Sequence, residues 1–389
     1  KAPDRSESIV IMIGVDGFRW DYLEKFRPPN LLRLAAQGVT SERMIPAFPS
    51  LTFPNFYTLA TGLRPENHGI IGNTMFDPDF NAKFALGSPS VQESRWWGGE
   101  PVWVTAEKQG IRAACMFWPG SEAEIAGVRP SEWRKYQHDF PPDARVQTVL
   151  DWLAAPPEKR PRLVTLYFHE ADTAGHRFGP DSPETAKAVA TVDAAIGKLV
   201  AGIQKLHLTD RTNLIIASDH GMTEVSSDRT IVLGQFLDLK DVQIDFSGAV
   251  AGLRPLRGTV EELYEKLVVH QAHFKVYRRE EVPARLHFRN HRRIPPLVLI
   301  PEEGWLVLPR LPLANSTDKP IPRATHGFDA ELPSMGALFI AAGPAFQQGV
   351  TLPPFENIHI YNLVCALLGL KPAVNDGDQR LIDQALLKN

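Results

Sequence analysis

The chain has 389 residues, 43% of them hydrophobic and 22% charged, a composition that excludes a disordered or collagen-like protein and suits one large α/β unit with an insertion. A net charge of −3 leaves no basic footprint for a nucleic-acid backbone, so no polymeric nucleic acid is expected as a partner. Cys115 and Cys365 are too few for a disulfide scaffold, no apolar run approaches a membrane span, and nothing in the chain reports an oligomeric state.

Residues 8–14 form a short, almost wholly apolar run, the pattern of a parallel strand covered on both faces, and Asp16 follows it directly. A helix is expected next, capped by Asn30, burying Leu31 and Leu34 and stopped by Gly38. Residues 52–62 read as a helix with Pro54 in its first turn and Gly62 at its end, which puts Thr52 at a helix N-terminus. Strand 111–117, helix 145–154 and strand 163–168 continue the alternation. The helix at 183–205, capped by Ser182, has Val189, Val192, Ile196, Leu199 and Ile203 at helical spacing. Strand 214–218 then delivers Asp219 and His220.

From 224 to about 325 the pattern loosens into short strand signals, one helix near 260–270 and Pro-rich connections. The expected organisation is therefore a catalytic core at 1–223 and 325–389, interrupted by an inserted or capping subdomain at 224–324. The most basic stretch, 285–293, is read as a solvated face or a contact for an anionic ligand, with no function assigned. The core resumes at His326, strand 337–341 and helix 361–368. The alternation predicts an α/β fold: a central, mostly parallel sheet flanked by helices.

Open sheets of this kind gather ligands beyond the carboxyl ends of their strands, where Asp16, Asp172 and the Asp219-His220 pair all fall. Asp172 and His176 are four residues apart, a spacing that turns both toward one ion if the segment coils. Taken singly, each has a bland account. An Asp after a strand is a turn or cap residue, Asp-His-Gly is a turn, and His176 is a solvated histidine. Their recurrence at successive strand ends points to a metal site.

Six motifs in order make the pattern specific: GVDGFR at 14–19, FPN at 53–55, TGLRPENHGIIGN at 61–73, DTAGH at 172–176, SDHGM at 218–222 and THGFD at 325–329. Together they resemble the nucleotide pyrophosphatase/phosphodiesterase family of the alkaline phosphatase superfamily, over residues 8–225 and 325–370. The resemblance implies an alkaline phosphatase-like fold and two Zn2+ ions. One ion would be held by Asp172, His176 and His326, the other by Asp16, Thr52, Asp219 and His220. It further implies that Thr52 attacks phosphorus to form a threonine-bound nucleotidyl intermediate, which water then hydrolyses. Asn73 and the backbone N–H of Phe53 would donate to a phosphoryl oxygen, while Phe53 and Tyr167 would sandwich a nucleobase.

The activity so implied is hydrolysis of phosphodiester and pyrophosphate bonds in small nucleotides, releasing a nucleoside 5′-monophosphate. Two zinc ions against three aspartates leave a charge of about +1, which suits a singly charged diester better than a dianion. Open alternatives are a lysophospholipid or choline-type phosphodiesterase, which the family also contains, and a zinc-stabilised binding protein without turnover. A first residue other than Met, with the family's frequent export, gives the expectation of a periplasmic or secreted protein whose signal has been removed.

Overall fold

The computed structural model describes residues 7–313 and 320–388. Eight strands build the central sheet: β1 (Ile9–Val15), β2 (Val39–Ser41), β3 (Ala113–Met116), β4 (Glu132–Arg134), β5 (Leu163–Phe168), β6 (Thr212–Ala217), β7 (Phe339–Ala342) and β8 (Val350–Leu352). Their spatial order is β8-β2-β7-β6-β1-β5-β3-β4. Only β7 runs antiparallel to its neighbours, so the sheet is mostly parallel, as the alternating pattern predicts. Every residue of β1, β5 and β6 is buried, because helices cover both faces. Each Ile, Val or Leu so enclosed contributes about 1.5–3 kcal/mol relative to exposure.

The helices that matter for the site are α1 (Pro29–Ala36), α2 (Thr52–Thr61), α3 (Pro142–Leu153), α4 (Glu170–Phe178) and α5 (Pro183–Lys205). Leu31 and Leu34 are buried on α1 as expected, but Asn30 is not its cap. Pro28 holds that position, and the free N–H groups of Asn30 and Leu31 donate instead to the buried carboxylate of Asp193 on α5, at 3.2 and 2.7 Å. Capping from a remote element leaves no local trace. The stop lies at Gln37, with Gly38 just beyond.

Between Glu224 and Ala324 the chain builds a second, antiparallel sheet of Val242–Phe246, Ala251–Pro255, Leu297–Pro301 and Phe274–Arg278. Helix Val260–Val268 covers it and closes a separate small core. Residues 314–319 of this stretch lie outside the described residues. The excursion leaves and re-enters the main body through one two-residue ladder, Thr223–Glu224 against Ala324–Thr325.

The basic stretch 285–293 is not a solvated face throughout. Arg293 is buried and donates to Asp77 Oδ2 at 2.6 Å and to the carbonyls of Gly69 and Trp96 at 2.7 and 2.8 Å. Arg292 adds a second guanidinium on Asp77, and buried Glu66 accepts the N–H groups of Arg289 and Asn290. These groups were absorbed by the carboxylates of 66–77, which sequence distance hid. Arg293 thus pins the loop that leads to Asn73. Arg293→Met is expected to lower unfolding stability by about 3–5 kcal/mol in urea titration, because it strips a partner from buried Asp77. The double change with Asp77→Asn is expected to cost less than Arg293→Met alone.

Candidate active site

Register brings the chemistry together. Val15 of β1 lies opposite Phe168 of β5, and Gly14 lies opposite Ala217 of β6. Asp16, the start of α4 and Asp219 therefore emerge at one sheet edge. Asp172 sits in the first turn of α4 and His176 one turn later on the same face, with His176 Nε2 3.4 Å from Asp172 Oδ1. Gly17 has φ +65°, and a Cβ there would lie 2.8 Å from Asp172 Cα, so only glycine lets β1 and α4 approach this closely. The ladder at Thr325 then returns His326 to the same edge, with its Nε2 3.4 Å from Asp172 Oδ1.

All three histidines are oriented alike. His176 Nδ1–H donates to Ala324 O at 2.8 Å, His220 Nδ1–H to Gly221 O at 2.8 Å, and His326 Nδ1–H to Ser50 O at 2.9 Å. Each bond fixes the tautomer and leaves the Nε2 lone pair directed into the site. His176 and His326 bring these nitrogens to within 3.2 Å of one another. His220 Nε2 lies 2.9 Å from Asp219 Oδ2, 3.4 Å from Asp16 Oδ1 and 3.2 Å from Thr52 Oγ1.

Such a cluster repels itself. Asp16 Oδ1, Asp172 Oδ1 and Asp219 Oδ2 are buried without a hydrogen-bond partner. Burial, then the charge of Asp172, pushes the Asp219 carboxyl up to about 8. Burial, then Asp219 and Asp172, holds Asp16 well above the usual carboxylate range. Burial, followed by His220 and His176, keeps His326 far below the usual imidazole value. Orphaned oxygens and unprotonated nitrogens aimed at a common space fit divalent cations with mixed N/O preference. Among the described residues, two sets have ligand atoms within 4.8 Å of one another: Asp172, His176 and His326, and Asp16, Asp172 and His220. Asp172 belongs to both, whereas the sequence motifs give it to one.

Thr52 is the first residue of α2 and is half-buried. Leu51, not Thr52, occupies the cap position, so the Thr52 hydroxyl is free to face His220 rather than its own helix. The preceding loop is locked by Asn55, whose amide donates to the carbonyls of Ala47, Pro49 and Leu51 at 3.0–3.1 Å. Phe53 N–H donates to Asn73 Oδ1 at 2.9 Å. The two groups expected as parallel donors to a phosphoryl oxygen are thus bonded to each other, and Asn73 Nδ2 is the donor left over.

Tyr167 needs the clearest correction. It belongs to an all-buried strand, is 8% exposed, and donates its hydroxyl to Asp16 Oδ2 at 2.6 Å. It supports a candidate ligand and presents no open face for a base. The accessible ring nearby is Tyr136, 39% exposed and 6.0 Å from Tyr167 between centroids. Burial, and beyond it the charges of Asp16, Glu170 and Asp172 working against Arg145, raises its phenol above the ordinary tyrosine value. The only local signal for Tyr136 was an aromatic set in the polar run 135–139. Phe53 is half-buried against Phe84 and Trp97.

The sequence profile of the family described as Type I phosphodiesterase / nucleotide pyrophosphatase matches residues 10–329. The chain belongs to this family. It is 39% identical to venom phosphodiesterase CdcPDE of Crotalus durissus collilineatus, over 98% of this chain and 47% of that protein. Human ectonucleotide pyrophosphatase/phosphodiesterase family member 1 is also 39% identical, over 97% of this chain and 42% of that protein. The chain therefore spans about half the length of these relatives. Among solved structures, murine ectonucleotide pyrophosphatase / phosphodiesterase 5, in an inactive threonine-to-alanine form in complex with AMP, superposes with a TM-score of 0.93 at 33% identity. That match covers 98% of this chain and 100% of the other.

For this member of the phosphodiesterase family, metal removal has a signed pH consequence. Carboxyls raised in the folded state hold protons that the unfolded chain, ionising near pH 4, has released. Metal-free protein is therefore expected to lose thermal stability as pH rises from about 4 toward about 8. Zinc-loaded protein is expected to lose less over that range, a comparison that calorimetry with and without chelator makes. Tyr167→Phe, which deletes the bond to Asp16, is expected to weaken metal retention about 10- to 100-fold in competition with a chromogenic chelator.

Proposed function

We propose that this chain is a hydrolase of phosphodiester and pyrophosphate bonds in nucleotides, with Thr52 as nucleophile. The observation that carries the reading is the placement of Thr52 Oγ1 3.2 Å from His220 Nε2, at the rim of three orphaned carboxylate oxygens. A threonine hydroxyl is not ionised at neutral pH, so as a nucleophile it needs an activating neighbour, and a cation among the orphaned carboxylate oxygens would supply that activation. Asp16, Asp219 and His220 with Thr52, and Asp172, His176 and His326, are the residues that would hold two zinc ions. Bound there, the ions supply the positive charge that favours the alkoxide and stabilises the departing oxygen.

Thr52 Oγ1 attacks phosphorus in line with the leaving group. The P–O bond to that group breaks as the bond to Thr52 forms, leaving a nucleotidyl ester on the threonine. Water then attacks the same phosphorus, Thr52 departs, and a nucleoside 5′-monophosphate is released. Throughout, Asn73 Nδ2 donates to a nonbridging oxygen, and its orientation is set beforehand because Oδ1 is tied to Phe53 N–H. The start of α2 adds a smaller favourable field for the anion.

Phe53 and Tyr136 are the two aromatic faces that would take a base, replacing the pair Phe53 and Tyr167 read from sequence. The AMP held by the murine relative supports a nucleoside monophosphate as the retained portion. Thr52→Ala is expected to lower turnover of a nucleotide diester at least about a thousandfold while the protein keeps its zinc. Near-normal turnover would overturn the assignment. Mass analysis of products is expected to show AMP from ATP and far slower release from a lysophospholipid, whereas the reverse preference would replace the nucleotide by a lipid head group.

A further inference from the structure

The mechanism leaves one group of side chains unused at its edge. Tyr136 follows β4, and its hydroxyl donates to His138 Nδ1 at 3.0 Å. The His138 ring stacks on that of His169, with centroids 3.9 Å apart and planes 24° from parallel. His169 uses both ring nitrogens: Nε2–H donates to the carbonyl of His138 at 3.0 Å, and Nδ1 accepts from Thr173 Oγ1 at 2.9 Å. One tautomer satisfies both bonds. With neither nitrogen free, His169 has no lone pair to offer a metal ion.

His169 sits immediately before α4, and Thr173 is the neighbour of Asp172 on it. A continuous path of contacts thus runs from the helix carrying Asp172 and His176 through His169 and His138 to the Tyr136 phenol. Elsewhere Tyr136 is held by its backbone N–H on Glu122 at 2.9 Å and by edge contacts of its ring with Phe117 at 5.2 Å and Tyr167 at 6.0 Å. Those contacts fix the root of the side chain. Among the described residues, His138 is the one hydrogen-bond partner of its phenol.

We propose that His138 is a positioning residue for substrate binding, which holds the Tyr136 ring as a ready platform for a nucleobase and references that platform to the metal-binding helix. This rests on the reading of Tyr136 given under Proposed function. A half-exposed aromatic left free must lose rotational freedom each time a base lands on it, and an immobilised one has lost it already. The effect belongs in KM for substrates that carry a base.

The test compares thymidine 5′-(p-nitrophenyl phosphate) with bis(p-nitrophenyl) phosphate in the zinc-loaded protein. His138→Ala is expected to raise KM for the thymidine ester about three- to tenfold with little change in kcat, and to shift KM for the base-free ester less than about twofold. His138→Asn, whose Oδ1 accepts from the phenol where Nδ1 does, is expected to restore most of the loss and serves as the second variant if His138→Ala folds poorly. In a Tyr136→Phe background His138→Ala is expected to add nothing further. Equal KM changes for both esters, or an undiminished His138 effect without the phenol, would overturn the proposal. Tyr136→Ala separates the two readings. If it leaves KM for the thymidine ester unchanged, the platform itself is wrong; if it raises KM and His138→Ala does not, only the role of His138 falls.

Discussion

Mutual repulsion among Asp16, Asp172 and Asp219 is the constraint around which the molecule is organised. Three carboxylates in one dry space are costly unless positive charge is supplied, and the alternative is protonation, as the upward displacement of Asp16 and Asp219 shows. The fold forces the encounter through rigid elements. β1 and β6 deliver two of the acids from adjacent, fully buried parallel strands, and α4 brings the third against Gly17. Flexible loops would relax apart; these strands have nowhere to go.

Around that centre, orientation is imposed largely by backbone carbonyls. Those of Ser50, Gly221 and Ala324 each accept an imidazole N–H, and Gly17 N–H donates to Asp219 Oδ1 at 3.1 Å. Side chains handle the rest: Tyr167 secures one oxygen of Asp16, and Asn73 is secured through Phe53. The outer groups thus determine which lone pairs point inward.

Much of this was legible in the sequence, for reasons that differ from residue to residue. Strand-end placement of Asp16, Asp219 and His220 follows from apolar runs of the right length, and the pairing of Asp172 with His176 follows from helical spacing. His326 carries no local signal, since the long excursion before it hides the ladder that returns it, and only the motif THGFD pointed to it. Tyr167 was expected at an open face although its strand is apolar apart from Thr165, a pattern that already argues for an interior ring. The roles of Asn30 and Arg293 were hidden for one shared reason. Their partners, Asp193 and Asp77, are adjacent in space and far apart in the chain.

The ladder of Thr223–Glu224 with Ala324–Thr325 also bears on how this architecture can diverge. Because the excursion starts and ends at paired strands beside His220 and His326, its length is decoupled from the distance between those histidines. Lengthening a loop whose ends are already pinned costs only about 0.6 kcal/mol per doubling. Residues 289–293 are exempt from that freedom, being fastened to Glu66, Gly69 and Asp77. Drift, insertion and new surface chemistry are therefore free to accumulate on the outward face of the outer sheet and its helix, while the short arginine segment and the sheet's inward side chains Phe246 and Val298 stay tied to the main core.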